Sequence, residues 1–412
     1  MTPKLAAGGL QAVLLVTAAG CGGQPSADTP DAGISVRDSA GIEIVDHGPS
    51  QPSEAVWSLS GPVLSIGGGP DDDRGLFDVG RMAAMAGGRF VVAHPSGSEL
   101  VWFADDGRRV AASGREGEGP GEFLSVRMLF VSDGDSVVAW DGRLNRISIF
   151  GPDGGFVRSA PLDLAAAGHA SPVALLSDGT LVGLPGFTFG GGMATGVYRD
   201  TVPLTRFHLD GSLAGRTTPF PMTERWVFEY QGSTAGGSLP FGKETRVVAG
   251  VGGFWVGTGD WPQVSFHDPS GNLLRIVRWG DSPERLTDGI LAEVEAWWLA
   301  NGDDDPESRA ELERYFEMVP YPETIPTHGR LMSDDRGNLW VESYNWPGSP
   351  SETLWTAYSP DGRRLGSVEV PERLRVQMIA ADLVYGVWTD DLDVESIRVY
   401  SIEGGPGLYS TN

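Results

Sequence analysis

The chain has little cysteine, little lysine and little positive charge. Cys21 is the only cysteine among 412 residues, so no internal disulfide can form and no other residue can supply a thiol nucleophile. Lysine occurs only at Lys4 and Lys243, and 55 acidic residues oppose 30 basic ones, giving a formal net charge of −25. Because such an acidic field repels nucleic acid and anionic membrane surfaces, we do not expect a nucleic-acid partner.

Long hydrophobic runs are also scarce, and the one at the N-terminus is short. It extends from Leu5 to Ala19, follows one basic residue and ends in small residues before Cys21. This order is typical of a secretory signal and too short for a transmembrane helix. The tetrapeptide AAGC (residues 18–21) resembles a bacterial lipobox. That resemblance implies lipid attachment at Cys21 and a membrane-anchored, exported protein.

The residue after Cys21 bears on which membrane would hold the lipoprotein, and the lipobox interpretation itself has an alternative. Gly22 stands where an aspartate would retain a lipoprotein in the inner membrane, which favours the outer membrane. Both a periplasmic and a cell-surface position stay open. The alternative is an ordinary cleaved signal followed by an incidental cysteine.

Two segments are expected to precede the folded domain. Residues 1–20 are the expected lipoprotein signal peptide. Residues 21–53 begin with a stretch rich in Pro, Gly and small polar residues, which cannot bury enough apolar surface to fold. We predict a tether here, with one peripheral strand within the more apolar residues 34–48. Residues 54–412 are the expected folded domain.

One hairpin pattern recurs six times in this domain. Each copy has a β run ending in an aromatic residue, a turn built on glycine and a second β run, as in FADDGRRV, FGPDGGFV and YSPDGRRL. Glycine suits these turns because tight hairpins need a positive φ, which glycine adopts without steric cost. The turn glycines are Gly107, Gly154, Gly211, Gly271, Gly362 and Gly404.

A second hairpin precedes each of these copies. Its turns centre on Gly88, Gly134, Gly179, Gly253 and Gly337, with a less regular sixth copy near Leu383. Two hairpins give four strands per repeat, and repeats of four short strands are the blades of a β-propeller. The sequence therefore predicts an all-β, six-bladed propeller. A β-sandwich is the alternative, although it would need no such doubling.

The start of the domain is expected to close the propeller. VLSIGGGPDDDRGLFDVGRM (residues 63–82) parallels VAASGREGEGPGEFLSVRM (residues 110–128). Its β run would be the outer strand of a last blade whose other three strands come from residues 374–400. Such closure removes the exposed edges that an open sheet would leave.

The blade sequences resemble a known type of repeat. VVAWDGRLNRISIFGPDGGFVRS (residues 137–159) and GEGPGEF (residues 117–123) are similar to NHL-type repeats. Over residues 60–404 the chain resembles bacterial six-bladed β-propeller lipoproteins. The resemblance implies the scaffold only, because this wider class includes enzymes, extracellular binding modules and interaction scaffolds.

The repeat pattern breaks between blades 4 and 5. Residues 283–326 contain two helical stretches, 288–300 and 306–318, and Asp305 followed by Pro306 is typical of a helix start. The first helix has an apolar face of Ile290, Leu291, Val294, Trp297 and Trp298. The insertion leaves an outermost strand and returns to an innermost one. It can therefore act as a lid over one mouth, pack its tryptophans on blade edges, or bind a partner.

Arginine recurs at one position of the blades, seven residues before the inner-hairpin glycine. The blades that have it there contribute Arg81, Arg127, Arg246 and Arg330. Blade 3 has Pro172 instead, and blade 6 has Val376 or Gln377. The innermost strand begins at this position, so the side chains should ring one mouth of the central channel. Because guanidinium groups bind carboxylate or phosphate in bidentate fashion, we predict a site for a small anionic ligand.

Aspartates seven residues after the same glycines offer a structural alternative. Asp141 would pair with Arg127, and Asp260 would pair with Arg246. Such pairs would pin the first two strands of a blade together and leave no charge for a ligand.

The other two arginines have no aspartate at that position. Arg81 would face His94 and Pro95, and Arg330 would face Tyr344. Both are therefore the better candidates for contact with a ligand.

No complete catalytic constellation is evident. His94, His169 and His328 are expected near the same mouth and would suit a hydrolase or lyase with a channel metal, but their offsets differ and no carboxylate partner is evident. His208 and His267 are expected beside outer turns, in solvent. We predict a monomeric binding or scaffold module for a small anion or a protein partner, with no catalytic residue, metal or cofactor assigned.

Overall fold

The computed structural model describes residues 33–48, 55–67, 79–94, 98–163, 168–187, 193–230, 232–302, 305–349 and 352–405. Over these residues the chain is mostly β-strand with two α-helices. Cys21, the predicted signal and the first part of the predicted tether lie outside the described residues. Within the described ranges, no helix is long and apolar enough to cross a membrane.

Three strands precede the repeats. They are β1 (Ile34–Ser39), β2 (Ile42–His47) and β3 (Val56–Ile66). β1 and β2 form an antiparallel hairpin, where the sequence predicted one peripheral strand.

Repeats 1 and 2 each form a four-stranded antiparallel sheet in chain order. Repeat 1 has β4 (Met82–Ala84), β5 (Phe90–Ala93), β6 (Leu100–Phe103) and β7 (Arg109–Ser113). Repeat 2 has β8 (Val126–Ser132), β9 (Ser136–Asp141), β10 (Arg146–Phe150) and β11 (Phe156–Pro161). The middle strands β5 and β6 are buried at every residue, as expected when neighbouring sheets cover both faces.

Repeat 3 is interrupted by an additional small sheet. The first two strands of the repeat are β12 (Ser171–Leu175) and β13 (Thr180–Leu184). The interruption contains β14 (Gly196–Tyr198), and the repeat then continues with β15 (Thr201–His208) and β16 (Leu213–Pro221). β14 pairs instead with β17 (Arg225–Tyr230), which forms a hairpin with β18 (Ser233–Ser238). The sequence did not predict this three-stranded sheet.

The two helices lie between repeats 4 and 5, as predicted. Repeat 4 has β19 (Arg246–Gly250), β20 (Gly253–Gly257), β21 (Gln263–His267) and β22 (Leu273–Arg278), and α1 (Asp288–Asn301) and α2 (Pro306–Met318) follow. Repeat 5 has β23 (Leu331–Ser333), β24 (Leu339–Glu342), β25 (Glu352–Tyr358) and β26 (Arg364–Pro371). The predicted cap of α2 is present, because the Asp305 side chain accepts hydrogen bonds from the amides of Glu307 and Ser308.

Repeat 6 combines the two ends of the domain. β27 (Leu374–Ala380), β28 (Leu383–Thr389) and β29 (Glu395–Glu403) are antiparallel, and β3 pairs antiparallel with β29 as the fourth strand. The sequence predicted this strand. In addition, β2 pairs in parallel with β22 of repeat 4, so residues 42–47 are part of a sheet rather than of a tether.

The turns follow the predicted glycines with two corrections. The six outer-turn glycines have φ between 78° and 89°, the left-handed region that glycine adopts without strain. In repeat 4 the left-handed residue of the inner turn is Gly252 (φ 78°), one residue before the predicted Gly253. In repeat 6 the turn uses Ala381 and Asp382, with φ of 50° and 59°, and therefore has no glycine to mark it.

The first strands of the repeats contact one another in a closed cycle. β4 contacts β8, β8 contacts β12, β12 contacts β19, β19 contacts β23, β23 contacts β27, and β27 contacts β4. Apolar clusters fill the space between neighbouring sheets; one joins Phe90 and Phe103 of repeat 1 to Tyr385 and Ile397 of repeat 6. Such a closed cycle of β-sheets is typical of a β-propeller.

Candidate functional site

Arginine stands at or beside the start of the first strand in five repeats. Arg81 and Arg330 directly precede β4 and β23, and Arg246 is the first residue of β19. Arg127 is the second residue of β8, and Arg375 is the second residue of β27. The sequence analysis did not identify Arg375 and placed Val376 or Gln377 at this position. The reason is that the turn of repeat 6 has no glycine from which the register could be counted.

Arg81 lies close to the arginines of several other repeats. Its Nε donates a hydrogen bond to the backbone oxygen of Arg127 at 3.3 Å. Burial lowers the pKa of the Arg81 guanidinium, and the positive charges of Arg330, Arg375 and Arg246 lower it further. These side chains therefore converge on one region, which we call the arginine mouth, comprising Arg81, Arg127, Arg246, Arg330 and Arg375.

Asp141 does not pair with Arg127, contrary to the structural alternative. The Asp141 side chain is fully buried, and its Oδ2 accepts hydrogen bonds from the amides of Leu124 and Ser125 at 2.6 and 3.0 Å. Its Oδ1 accepts from the amides of Arg143 and Leu144 at 2.8 and 2.9 Å. Among the described residues, the guanidinium of the repeat 2 arginine has no acidic partner.

Asp260 does not pair with Arg246 either. Both carboxylate oxygens of Asp260 accept from the fork of Arg199, at 2.5 and 3.0 Å. Arg246 forms its ion pair with Glu244. The sequence alternative was right that repeat 4 neutralises its arginine, but it named the wrong acid. Arg246 lies directly opposite Gly257 in the sheet, so no acidic residue faces it across the strand pair.

Arg330 is neutralised, although the sequence favoured it as a ligand contact. Its Nε and Nη2 donate to the two carboxylate oxygens of Glu342, at 3.0 and 2.6 Å. Its Nη1 donates to the backbone oxygen of Val376 at 2.7 Å, and its guanidinium carbon lies 5.2 Å from the ring centroid of Trp355. These contacts occupy the guanidinium, and its acidic partner is Glu342 rather than a residue at the position of Tyr344, where the sequence showed no aspartate.

Arg375 completes the set and is also paired. Its Nη2 donates to Oε1 of Glu395 at 3.1 Å, and Oε2 of the same carboxylate accepts from the amide of Val79 at 2.7 Å. Three of the five arginines thus have a glutamate partner. Over the part of the chain that the structure describes, Arg81 and Arg127 have none.

The histidines do not form the metal centre that the alternative function required. No group of three or more His, Cys, Asp or Glu side chains able to hold a metal ion occurs among the described residues. His328 is buried, its Nδ1 donates to the backbone oxygen of Gly329 at 2.9 Å, and burial lowers its pKa. His267, expected in solvent, is buried instead and packs against Phe220 and Phe254.

The insertion packs on loops at the same ends of the strands as the arginine mouth. Val294 of α1 is buried with Phe241, which precedes β19, and with Ile325; Trp346, which follows β24, packs at the edge of this cluster. Of the apolar face predicted for α1, only Val294 is fully buried, whereas Trp297 and Trp298 are 37% and 43% exposed. The tryptophans therefore do not simply fill blade edges.

Comparison with known proteins gives similarity at the level of the fold. No protein-family model and no curated protein matches the chain. A solved structure of a protein described as exported, from Bacteroides fragilis NCTC 9343, aligns with a TM-score of 0.48 and 11% identity, covering 87% of this chain and 99% of that one. A member of the DUF4221 family from Bacteroides vulgatus gives 0.47 and 10%, covering 80% and 93%. Virginiamycin B lyase from Staphylococcus aureus gives 0.39 and 10%, covering 79% and 96%.

Proposed function

We propose that the chain is an exported, lipid-anchored six-bladed β-propeller that binds a small anion at the arginine mouth through Arg81 and Arg127. The closed cycle of first strands supports the six-bladed arrangement. The lone cysteine after a short signal-like run supports lipid attachment at Cys21, with an outer-membrane, periplasmic or surface-facing position. The protein acts as a monomeric binding module rather than as an enzyme.

The observation that carries the proposal is the uneven pairing of the mouth arginines. Arg246, Arg330 and Arg375 have glutamate partners, whereas no acid neutralises Arg81 or Arg127 among the described residues. The hydrogen bond from Arg81 Nε to the Arg127 backbone holds these two residues side by side and leaves the two Nη groups of Arg81 for a ligand. Paired guanidinium forks suit phosphate or carboxylate oxygens, which accept two parallel hydrogen bonds.

Titration with inorganic phosphate tests the proposal. Calorimetry and thermal unfolding are measured at constant ionic strength with chloride as the reference anion. At a concentration ten times Kd, specific binding stabilises the folded state by about 1.4 kcal/mol. We expect the double variant Arg81→Gln, Arg127→Gln to lose this stabilisation, because it removes both open forks.

Arg108→Gln is the matched control, because Arg108 is an exposed arginine in the outer turn of repeat 1. It should bind phosphate as the wild type does. An unchanged phosphate response in the double variant would refute the arginine-mouth proposal. An equal loss in Arg108→Gln would show that the response depends on the overall charge and not on the arginine mouth.

A further inference from the structure

A large cavity lies beside the helical insertion, outside the arginine mouth. Its volume is about 1000 Å³. The cavity is lined by the hairpin of β17 and β18, by α1 and α2, and by the loops before β19, after α2 and after β24. Three segments that are distant in sequence therefore enclose it. The volume is at the upper end of the range for pockets that hold a drug-sized ligand.

Nine of the residues that line the cavity are aromatic. The ring of Phe241 lies near three other lining rings, with its centroid 6.4 Å from that of Tyr321, 6.2 Å from that of Tyr344 and 6.5 Å from that of Trp346. Tyr315 of α2 also lines the cavity and contacts Trp226, the ring centroids being 5.8 Å apart. Ring faces spaced in this way offer flat apolar surfaces against which another ring system can pack.

Several polar atoms of these walls lack a partner. The indole Nε1 of Trp346 is buried and makes no hydrogen bond. Within the described residues, neither the Tyr321 nor the Tyr344 hydroxyl makes one. Burial raises the pKa of both tyrosines to about 12, so both phenols stay protonated at neutral pH and can donate. A buried donor without a partner is unfavourable, and an acceptor on a bound molecule would relieve that cost.

The cavity opens to solvent through an apolar rim. Tyr230, Trp298 and Met318 line it and are 40%, 43% and 45% exposed. Three charged residues line the cavity: Glu229, Arg314, and Glu311, which accepts a hydrogen bond from the Tyr230 hydroxyl. The site therefore lacks the concentrated positive charge that an anionic ligand would require.

We infer that this cavity binds an uncharged small molecule that contains an aromatic or other flat ring system and at least one hydrogen-bond acceptor. The rings of the walls enclose its apolar part, and Trp346 Nε1 with the tyrosine hydroxyls meets its acceptor. The inference is independent of the anion proposal, since it uses different residues and a different ligand chemistry.

Nile red tests this inference, because it is uncharged, has a flat ring system, carries a carbonyl acceptor and fluoresces more strongly in apolar surroundings. We expect saturable binding of one molecule per chain. Ala235→Trp places a bulky ring in the cavity from β18 without removing any wall residue, and should weaken binding at least tenfold. Ala112→Trp, at an exposed position of β7, is the matched control and should leave binding unchanged.

Tyr344→Phe tests a donor separately, because it keeps the ring of this lining residue and removes only the hydroxyl. Loss of one hydrogen bond should weaken Nile red binding about fivefold, whereas Tyr198→Phe, which removes a hydroxyl outside the cavity, should have no effect. Circular dichroism checks the fold of each variant, and Ser238→Trp replaces Ala235→Trp if the latter does not fold. Equal binding by the wild type and a folded cavity-filling variant, or binding that does not saturate, would overturn the inference.

Discussion

Replacing Asp141 by asparagine distinguishes the two roles that this residue can have. If Asp141 were the ion-pair partner of Arg127, as the sequence alternative predicted, its contribution to stability would depend on that arginine. In the structure its carboxylate accepts from four backbone amides, two on each oxygen. Asparagine keeps one oxygen acceptor and turns the other position into a donor, which would then point at the two amides formerly bound there.

The expected loss follows from those contacts. Hydrogen bonds to a charged group contribute about 1.5–3 kcal/mol each, and two of the four are lost at a fully buried site. We therefore expect Asp141→Asn to lower the free energy of unfolding by about 3–6 kcal/mol. Arg127→Gln should change it by less than about 0.5 kcal/mol, since this side chain makes no ion pair within the described residues.

A double-mutant cycle provides the assay. Urea unfolding of the wild type, the two single variants and the double variant is followed by tryptophan fluorescence. We expect a coupling energy between Arg127 and Asp141 below about 0.5 kcal/mol. A coupling of several kcal/mol, as for a buried ion pair that loses one partner, would refute the assignment of Arg127 as an open arginine, and the anion proposal would lose half of its site.

Two further predictions concern charge at the mouth and ionisation near the cavity. Glu342→Gln releases Arg330 from its carboxylate partner and adds one open cation to the arginine mouth. The affinity for phosphate should therefore rise about threefold. An unchanged or weaker affinity, measured by calorimetry, would contradict this prediction. The folded-state pKa of Tyr344 is about 12, above the ordinary value near 10, so the unfolded chain releases this proton first and stability falls as pH rises from about 10 to 12. At pH 11 the free energy of unfolding is lower by about 1.4 kcal/mol for this reason, and Tyr344→Phe should abolish this contribution. Urea unfolding measures the loss of stability between pH 8 and pH 11, and equal losses in the wild type and the variant would contradict the prediction.

The arginine positions were predictable from sequence, but their acidic partners were not. A fixed offset from the glycines of the inner hairpins locates Arg81, Arg127, Arg246 and Arg330, although the left-handed turn residue of repeat 4 is Gly252 rather than Gly253. Whether an acid faces each arginine depends on what lies opposite in the sheet and on the loops beyond it. Glu342 follows Gly337 by five residues rather than seven, so the fixed offset passed over it.

The cavity was not predictable for a different reason. β18 reads STAGGS, a run of small residues with weak β propensity, and it forms a strand because it pairs with the aromatic β17. The walls then come from this hairpin, the two helices and two inter-strand loops, and no local pattern links these segments. The sequence did predict that α1 carries an apolar face, but not that its tryptophans stay partly exposed.

The distribution of charge around the mouth explains why the open arginines are neighbours. Opposite Arg81 the sheet presents Ala93, whose amide donates to the Arg81 backbone oxygen at 2.8 Å, and in repeat 2 Asp141 is occupied by loop amides. Repeats 4, 5 and 6 each supply a glutamate, so the excess positive charge falls in repeats 1 and 2. In the cycle of first strands, repeats 3 and 6 separate that pair from repeats 4 and 5, between which the helices are inserted. The anion proposal and the cavity inference therefore rest on different parts of the ring, and a variant that abolishes one should leave the other measurable.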